Sequence, residues 1–234
     1  MKRFYTDVAV AREEDGWLIA LDARPVRTPA RALLTLPTPM LAEAVAQEWR
    51  GQGDSVDPGS MPMTGLANAA IDHVATDPAA FAASVARYAQ SDLLCYRADM
   101  PDALVARQAA AWDPLLDWAR QRYDVAFAGT QGVIPVAQPE ETLSRLAAAV
   151  LALDPFTLAG LSTLVTIGGS LIGGLAVVEG DHDAQSVWHA TEVDEAWQVE
   201  QWGEDAQAAA RSARRQADFA TAAQFCTLCR NRND

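Results

Sequence analysis

Between residues 5 and 36 the apolar and polar positions follow a period of two. Val8, Val10 and Arg12 alternate with Asp7 and Ala9, Glu14-Asp15-Gly16 makes a turn, and Trp17–Leu21 follows, so a hairpin is expected. Asp22–Pro25 reads as a second turn, Val26–Thr28 as a short edge piece ended by Pro29, and Leu33–Leu36 as a last strand. The period then changes. Thr38-Pro39 is an N-cap followed by a first-turn proline, and Leu41, Ala44, Val45 and Trp49 recur at helical spacing until Gly51 and Gly53 stop the run. A helix laid over a small antiparallel sheet buries that stripe.

Gly51–Pro62 reads as a loop leading into a helix capped by Thr64. Beyond it, Asp77-Pro78, Asp113-Pro114 and Asp154-Pro155 each place a capping acid before a first-turn proline, and Pro101-Asp102 opens a further segment. About six or seven helices are therefore expected over residues 64 to 230. Residues 125–137, with Val125, Phe127, Val133, Ile134 and Val136, read as extended connections. The expected class is α+β, with an N-terminal α/β domain over residues 1–80 and a helical domain over 81–234.

Pro155–Val178 carries no charge and is long enough to cross a bilayer of about 30 Å. Ten of its positions are Gly, Ser or Thr, and its flanks are Asp154 and Glu179 rather than basic anchors, so one or two buried helices in close contact are expected instead. The interval Gly168–Gly173 suits a phosphate loop, but Gly174 and Leu175 stand where Lys and Ser or Thr are required.

Charge narrows the function classes. Eighteen basic against thirty-one acidic residues leave −13, a field that repels nucleic acid and anionic lipid. Nine of the acids fall between Glu179 and Asp205, a stretch without Lys or Arg that also holds Trp188, Trp197 and Trp202. These acids either pair with arginine, with Arg211, Arg214 and Arg215 nearest in sequence, or form a rim offered to a partner. Three cysteines cannot make a disulfide framework and suit a reducing compartment. Cys226 and Cys229 read as small residues on one helix face, since too few ligands remain for a zinc site. His182 and His189, seven apart, would share a helix face, and with Asp181, Asp183 and Glu192 they define a competing reading, a metal-dependent hydrolase. The N-terminus has neither the apolar run of a signal peptide nor the composition of a transit peptide.

Several islands spread along the chain carry a resemblance. They are Arg3–Tyr5, Trp17, Leu21–Pro25 with Thr28-Pro29, Leu36–Thr38, Ala46–Trp49, Met61–Thr64, Asp92–Arg97, Arg107-Gln108, Trp112–Leu116, Trp197-Gln198 and Trp202–Asp205. Together they resemble the F1-ATPase assembly chaperones that bind the free alpha subunit, in a bacterial form. The resemblance implies an N-terminal α/β domain, a C-terminal helical domain, no enzymatic activity and no cofactor or metal. It further implies the F1-ATPase alpha subunit as partner, a monomer when free, and work in the cytoplasm, or in the mitochondrial matrix for eukaryotic relatives. Among the motif positions, Glu195, Trp202, Glu204 and Asp205 are expected to contact the partner. A general holdase is the remaining reading. Gly173-Gly174, where larger aliphatic residues are expected, and the Cys226/Cys229 pair depart from the family pattern.

Overall fold

The computed structural model describes residues 2–132 and 134–230, so Val133 in the expected extended connection lies outside the described residues. The chain forms two compact units. The first is built on residues up to Pro78, joined by Asp154–Gly160 and by the described residues from Gln224 onward. The second comprises Ala79–Leu153 and Leu161–Ala223. The class is α+β, as the change of period implies.

In the first unit β1 (Val8–Glu13) and β2 (Gly16–Leu21) form the expected hairpin, antiparallel from Val8 opposite Leu21 to Glu13 opposite Gly16. Asp22 and Ala23 then take positive φ, 47° and 64°, which turns the chain tightly enough for β3 (Arg24–Pro25) to pair back on β2. The expected edge piece continues that path, since Val26 N–H donates to the Ile19 carbonyl at 2.8 Å. β4 (Thr35–Leu36) completes the sheet against Trp17 and Leu18 of β2.

Helix α1 (Pro39–Arg50) begins where the Thr38-Pro39 pair places it, with Thr38 Oγ1 accepting from Leu41 N–H at 3.1 Å. It lays Leu41, Ala42, Val45 and Ala46 in one core with Ile19, Leu34, Leu36 and Phe225. The next helix, α2 (Pro62–Ala69), starts two residues before Thr64, which is therefore not its cap. The carboxylate of Glu48, on α1, takes that part: it accepts from the backbone N–H groups of Met63 and Thr64 and from the Thr64 hydroxyl, each at 2.7 Å.

The remaining elements are α3 (Pro78–Ala86), β5 (Tyr96–Arg97), α4 (Asp102–Tyr123), β6 (Thr130–Gln131), α5 (Glu140–Leu151), α6 (Pro155–Gly168), α7 (Leu171–Glu179), α8 (Ala184–Thr191), α9 (Val193–Trp202) and α10 (Ala206–Cys229). Nine helices, α2 to α10, thus follow residue 60 among the described residues, more than expected, because short breaks near Gly169, Gly180, Glu192 and Gly203 divide what reads as continuous. Asp154 caps α6 as expected, accepting from Phe156 N–H at 2.9 Å. Asp113-Pro114 does not start a helix. Pro114 lies inside α4, and Asp113 turns outward to an ion pair with Arg97 at 2.6 Å. Among the described residues of the expected extended stretch only Thr130–Gln131, β6, form a strand, parallel to β5.

The uncharged stretch becomes α6 and α7, broken at Gly169 with φ +68°. Among the described residues no helix is long and apolar enough to cross a membrane. Leu171–Val178 are buried on every side of α7, and its glycines mark close approach. A Cβ on Gly174 would stand 2.8 Å from Val165 Cγ2 and 2.9 Å from Leu161 Cδ1. A pair of larger aliphatic residues does not fit there.

Candidate functional site

The acidic, tryptophan-rich stretch is held by α4 and α7 of the second unit. Its foundation is Asp92, fully buried just before β5. One carboxylate oxygen of Asp92 accepts from Ile172 N–H in the first turn of α7 at 3.0 Å, and the other from Leu94 N–H at 3.1 Å. The glycine-rich helix start that suggests a phosphate loop is thus filled by the protein's own carboxylate. Among the described residues no cation faces it, and burial, opposed by donors from Ile172, Ser170, Leu94 and Leu171, raises its pKa above the ordinary aspartate range.

From that base α4 reaches α8 and α9. Trp112, wholly buried, donates its indole N–H to the Ala190 carbonyl at 2.6 Å, with the Arg97 guanidinium 5.1 Å from its ring. Gln108 accepts from Ala98 N–H at 2.8 Å and donates to Asp194 at 2.7 Å. Arg107 grips Glu200 through two hydrogen bonds, 2.7 and 2.9 Å, and lies 5.1 Å from the Trp197 ring.

The nine acids therefore divide. Glu179 binds Arg122 and Tyr123, and Asp181 accepts from the Trp118 indole at 2.8 Å. Asp183 caps α8, and Glu192 pairs with Arg215 at 3.0 Å. Asp194 and Glu200 are held by α4, and Asp205 accepts from Ala208 N–H at 2.7 Å in the first turn of α10. Glu195 and Glu204 have no hydrogen-bond or ion-pair partner among the described residues. Of the three arginines nominated by proximity only Arg215 pairs with an acid of this stretch. Arg107 and Arg122 on α4 pair with Glu200 and Glu179, and sequence distance concealed them.

Glu195, Glu204 and Asp205 line one groove of about 640 Å³ between α9 and α10. Trp202 is not in its wall. It projects from the end of α9 with 77% of its surface exposed, next to Gly203 at φ +88°, and Val199, 42% exposed, lies one turn behind it. Large apolar side chains this open beside unpaired carboxylates make an apolar patch with an acidic rim.

The other candidate chemistry is placed elsewhere. Helix α8 starts after His182, so His182 and His189 do not share a helix; they line a different groove of about 470 Å³ with Pro114 and Val193, and no carboxylate lies in its wall. Among the described residues no three of His, Cys, Asp and Glu are arranged to hold a metal. Cys226 and Cys229 are free thiols at the end of α10, and Cys95 is a third. Burial pushes Cys95 and Cys226 up to about 12, so both stay protonated and unreactive near neutrality.

Over residues 2–120 the sequence matches the family described as ATP12 chaperone protein. The chain belongs to this family. Its fold is similar to the crystal structure of Atp12 from Paracoccus denitrificans, 46% identical, with 98% of each chain covered and a TM-score of 0.94. It is also similar to Atu1473, a putative chaperone from Agrobacterium tumefaciens, 41% identical, with 98% of this chain and 86% of that one covered and a TM-score of 0.93. A fission-yeast relative, the mitochondrial protein atp12 of Schizosaccharomyces pombe, is 26% identical over 214 residues, which are 86% of this chain and 74% of that protein. Membership gives the islands a physical meaning. Asp92–Arg97, Arg107-Gln108, Trp112 and Trp197, all in the islands that carry the resemblance, build the frame behind α9.

Proposed function

We propose that this chain is an assembly chaperone that binds the free alpha subunit of F1-ATPase and shields its assembly surface until alpha and beta subunits combine. The contact is made by the outer side of α9 and the groove beside it. Trp202 and Val199 supply the apolar anchor, Glu195 and Glu204 the acidic rim, and Asp205 fixes the start of α10. The observation that carries this reading is that Glu195 and Glu204, alone among nine acids, are left without partners among the described residues, beside the most exposed tryptophan. Such a face suits a client surface with apolar side chains and basic groups at its edge. The protein performs no chemistry of its own: client release follows from competition by the correct subunit, and no nucleotide is consumed. The work takes place where the alpha subunit is folded, the cytoplasm of a bacterium or the matrix of a mitochondrion.

The test is co-expression with the alpha subunit followed by affinity capture. A complex of one to one is expected, and Glu204→Lys should weaken it by about 1–3 kcal/mol while leaving thermal unfolding nearly unchanged. Capture of unrelated unfolded chains as readily as alpha would overturn the specific reading.

A further inference from the structure

The first unit carries a second groove, of about 530 Å³, whose chemistry is the reverse of the α9 face. Its floor is aromatic. Tyr5 packs edge-on against Trp49 at 5.7 Å and donates its hydroxyl to the Trp49 carbonyl at 2.7 Å, while Phe4 leans edge-on against Tyr5 at 5.4 Å with 63% of its surface open. The segment that presents Phe4 is pinned by Arg3, which donates to the carbonyls of Tyr5 and Gln52. Phe4 is thus exposed on a fixed backbone rather than on a loose end.

The rim is cationic. Arg24 and Arg27 both line the groove, both are exposed, and neither has an ion-pair partner among the described residues, although one guanidinium nitrogen of Arg27 donates to the Arg31 carbonyl at 2.8 Å. Asp22 also lines the groove, and one of its oxygens is committed, accepting from the backbone N–H groups of Thr6 at 3.0 Å and Asp7 at 2.8 Å. Those two hydrogen bonds, with Arg24 and Arg3 nearby, hold its carboxyl below the usual range, in keeping with a locally positive field. The Trp49 indole N–H is buried and meets no acceptor among the described residues.

Charge decides the occupant. A polyanion such as nucleic acid spans many Debye lengths and meets the repulsion of the whole chain, whereas a short segment senses only charges within about 8–10 Å. From the open Phe4 ring, the two guanidinium groups without an ion-pair partner among the described residues and the short reach of the field, we infer that this groove receives an extended segment of a partner protein in which a carboxylate stands beside a large apolar side chain. The apolar side chain packs on Phe4, the carboxylate bridges Arg24 and Arg27, and a backbone carbonyl is available to the groove wall. The groove belongs to the first unit and the α9 face to the second.

The test follows the Trp49 indole resonance of the nitrogen-15-labelled full chain, assigned with Trp49→Phe. The probes are three blocked pentapeptides, Gly-Glu-Phe-Glu-Gly and its counterparts with Gln or Lys in place of Glu. The glutamate peptide should shift Trp49 and its neighbours saturably, and Arg24→Gln combined with Arg27→Gln should weaken that titration by about tenfold. Both arginines are exposed, and the remaining spectrum reports whether the double variant is folded. Equal shifts from the glutamine or lysine peptide, an unchanged titration in the folded double variant, or shifts confined to residues outside the groove would each overturn the assignment. Because the probes contain no part of the alpha subunit, this result is independent of the capture experiment.

Discussion

The two sides of α9 use the same residue types to opposite ends. Asp194, Trp197 and Glu200, spaced by three, turn to α4, where Gln108 and Arg107 satisfy each carboxylate and the guanidinium covers the indole. Glu195, Val199 and Trp202, spaced by four and three, form the adjoining stripe and meet no such partner. An acid or a tryptophan in this stretch is therefore not informative by type. What separates structure from recognition is whether a group elsewhere in the chain has been provided for it. On the inner side it has, and replacing those residues should disturb folding; on the outer side it has not, and replacement should disturb capture alone.

The largest effect is expected from the frame behind the inner side. Trp112→Ala removes a fully buried ring and its hydrogen bond to Ala190, and should cost about 3–5 kcal/mol, read as a lower urea midpoint. Capture of the alpha subunit should then fall only in proportion to the unfolded fraction. Trp202→Ala should do the reverse. Truncating an exposed anchor is expected to cost about 2 kcal/mol of binding, roughly thirtyfold, with stability changed by no more than about 0.5 kcal/mol. If Trp202→Ala instead lowers the urea midpoint like Trp112→Ala, the division of the helix fails.

These expectations show how much could be read beforehand. The hairpin, α1, the start of α3 and the cap of α6 were legible because each is written in a few adjacent residues. The acids were not, because their partners lie far away: Arg107 is 93 residues from Glu200 and Arg122 is 57 from Glu179, while the nearby Arg211 and Arg214 pair with none of them. The same distance hid the return of α10 to the first unit, where Thr38 Oγ1 donates to the Leu228 carbonyl across 190 positions. Local rules also failed where a tertiary partner changed their meaning. Asp113 before Pro114 has the spacing of a cap, yet Arg97 takes its carboxylate and α4 runs on. The exposed candidates Trp202 and Glu204 were found through resemblance rather than periodicity, since a wheel cannot tell which side of an amphipathic helix lacks a neighbour.

A smaller effect belongs to the buried carboxylate beneath the site. Asp92 binds its proton more tightly in the folded chain than in the unfolded one, so its contribution to stability falls as pH rises from about 4, the ordinary aspartate value, through the raised folded value, and is constant above it. Asp92→Asn should abolish that fall. Exposed carboxyls such as Asp183, held low by the Ser186 hydroxyl and backbone N–H, contribute with the opposite sign, so the wild-type-minus-variant difference in urea midpoint across pH 4–8 is the measurement. Affinity for the alpha subunit at pH 7 should be unchanged, because Asp92 is out of reach of any partner.

The smallest effect, and the sharpest for the comparison, is Glu200→Gln. Glu200 lies on the same helix as Glu195, carries the same charge and is also exposed, but Arg107 occupies both of its oxygens. The arginine holds its carboxyl below the usual glutamate range, so the pair's contribution is present at neutral pH and lost as pH falls through that lowered value, and salt weakens it further. Neutralising Glu200 should therefore leave capture of the alpha subunit unchanged and produce at most a slight, salt-sensitive loss of thermal stability. Neutralising Glu195 by the same chemistry should reduce capture and leave stability untouched. If Glu195→Gln and Glu200→Gln reduce capture equally, the partner reads net charge along α9 and not the unpaired stripe. The Arg107 pairing would then be a surface detail with no part in defining the site.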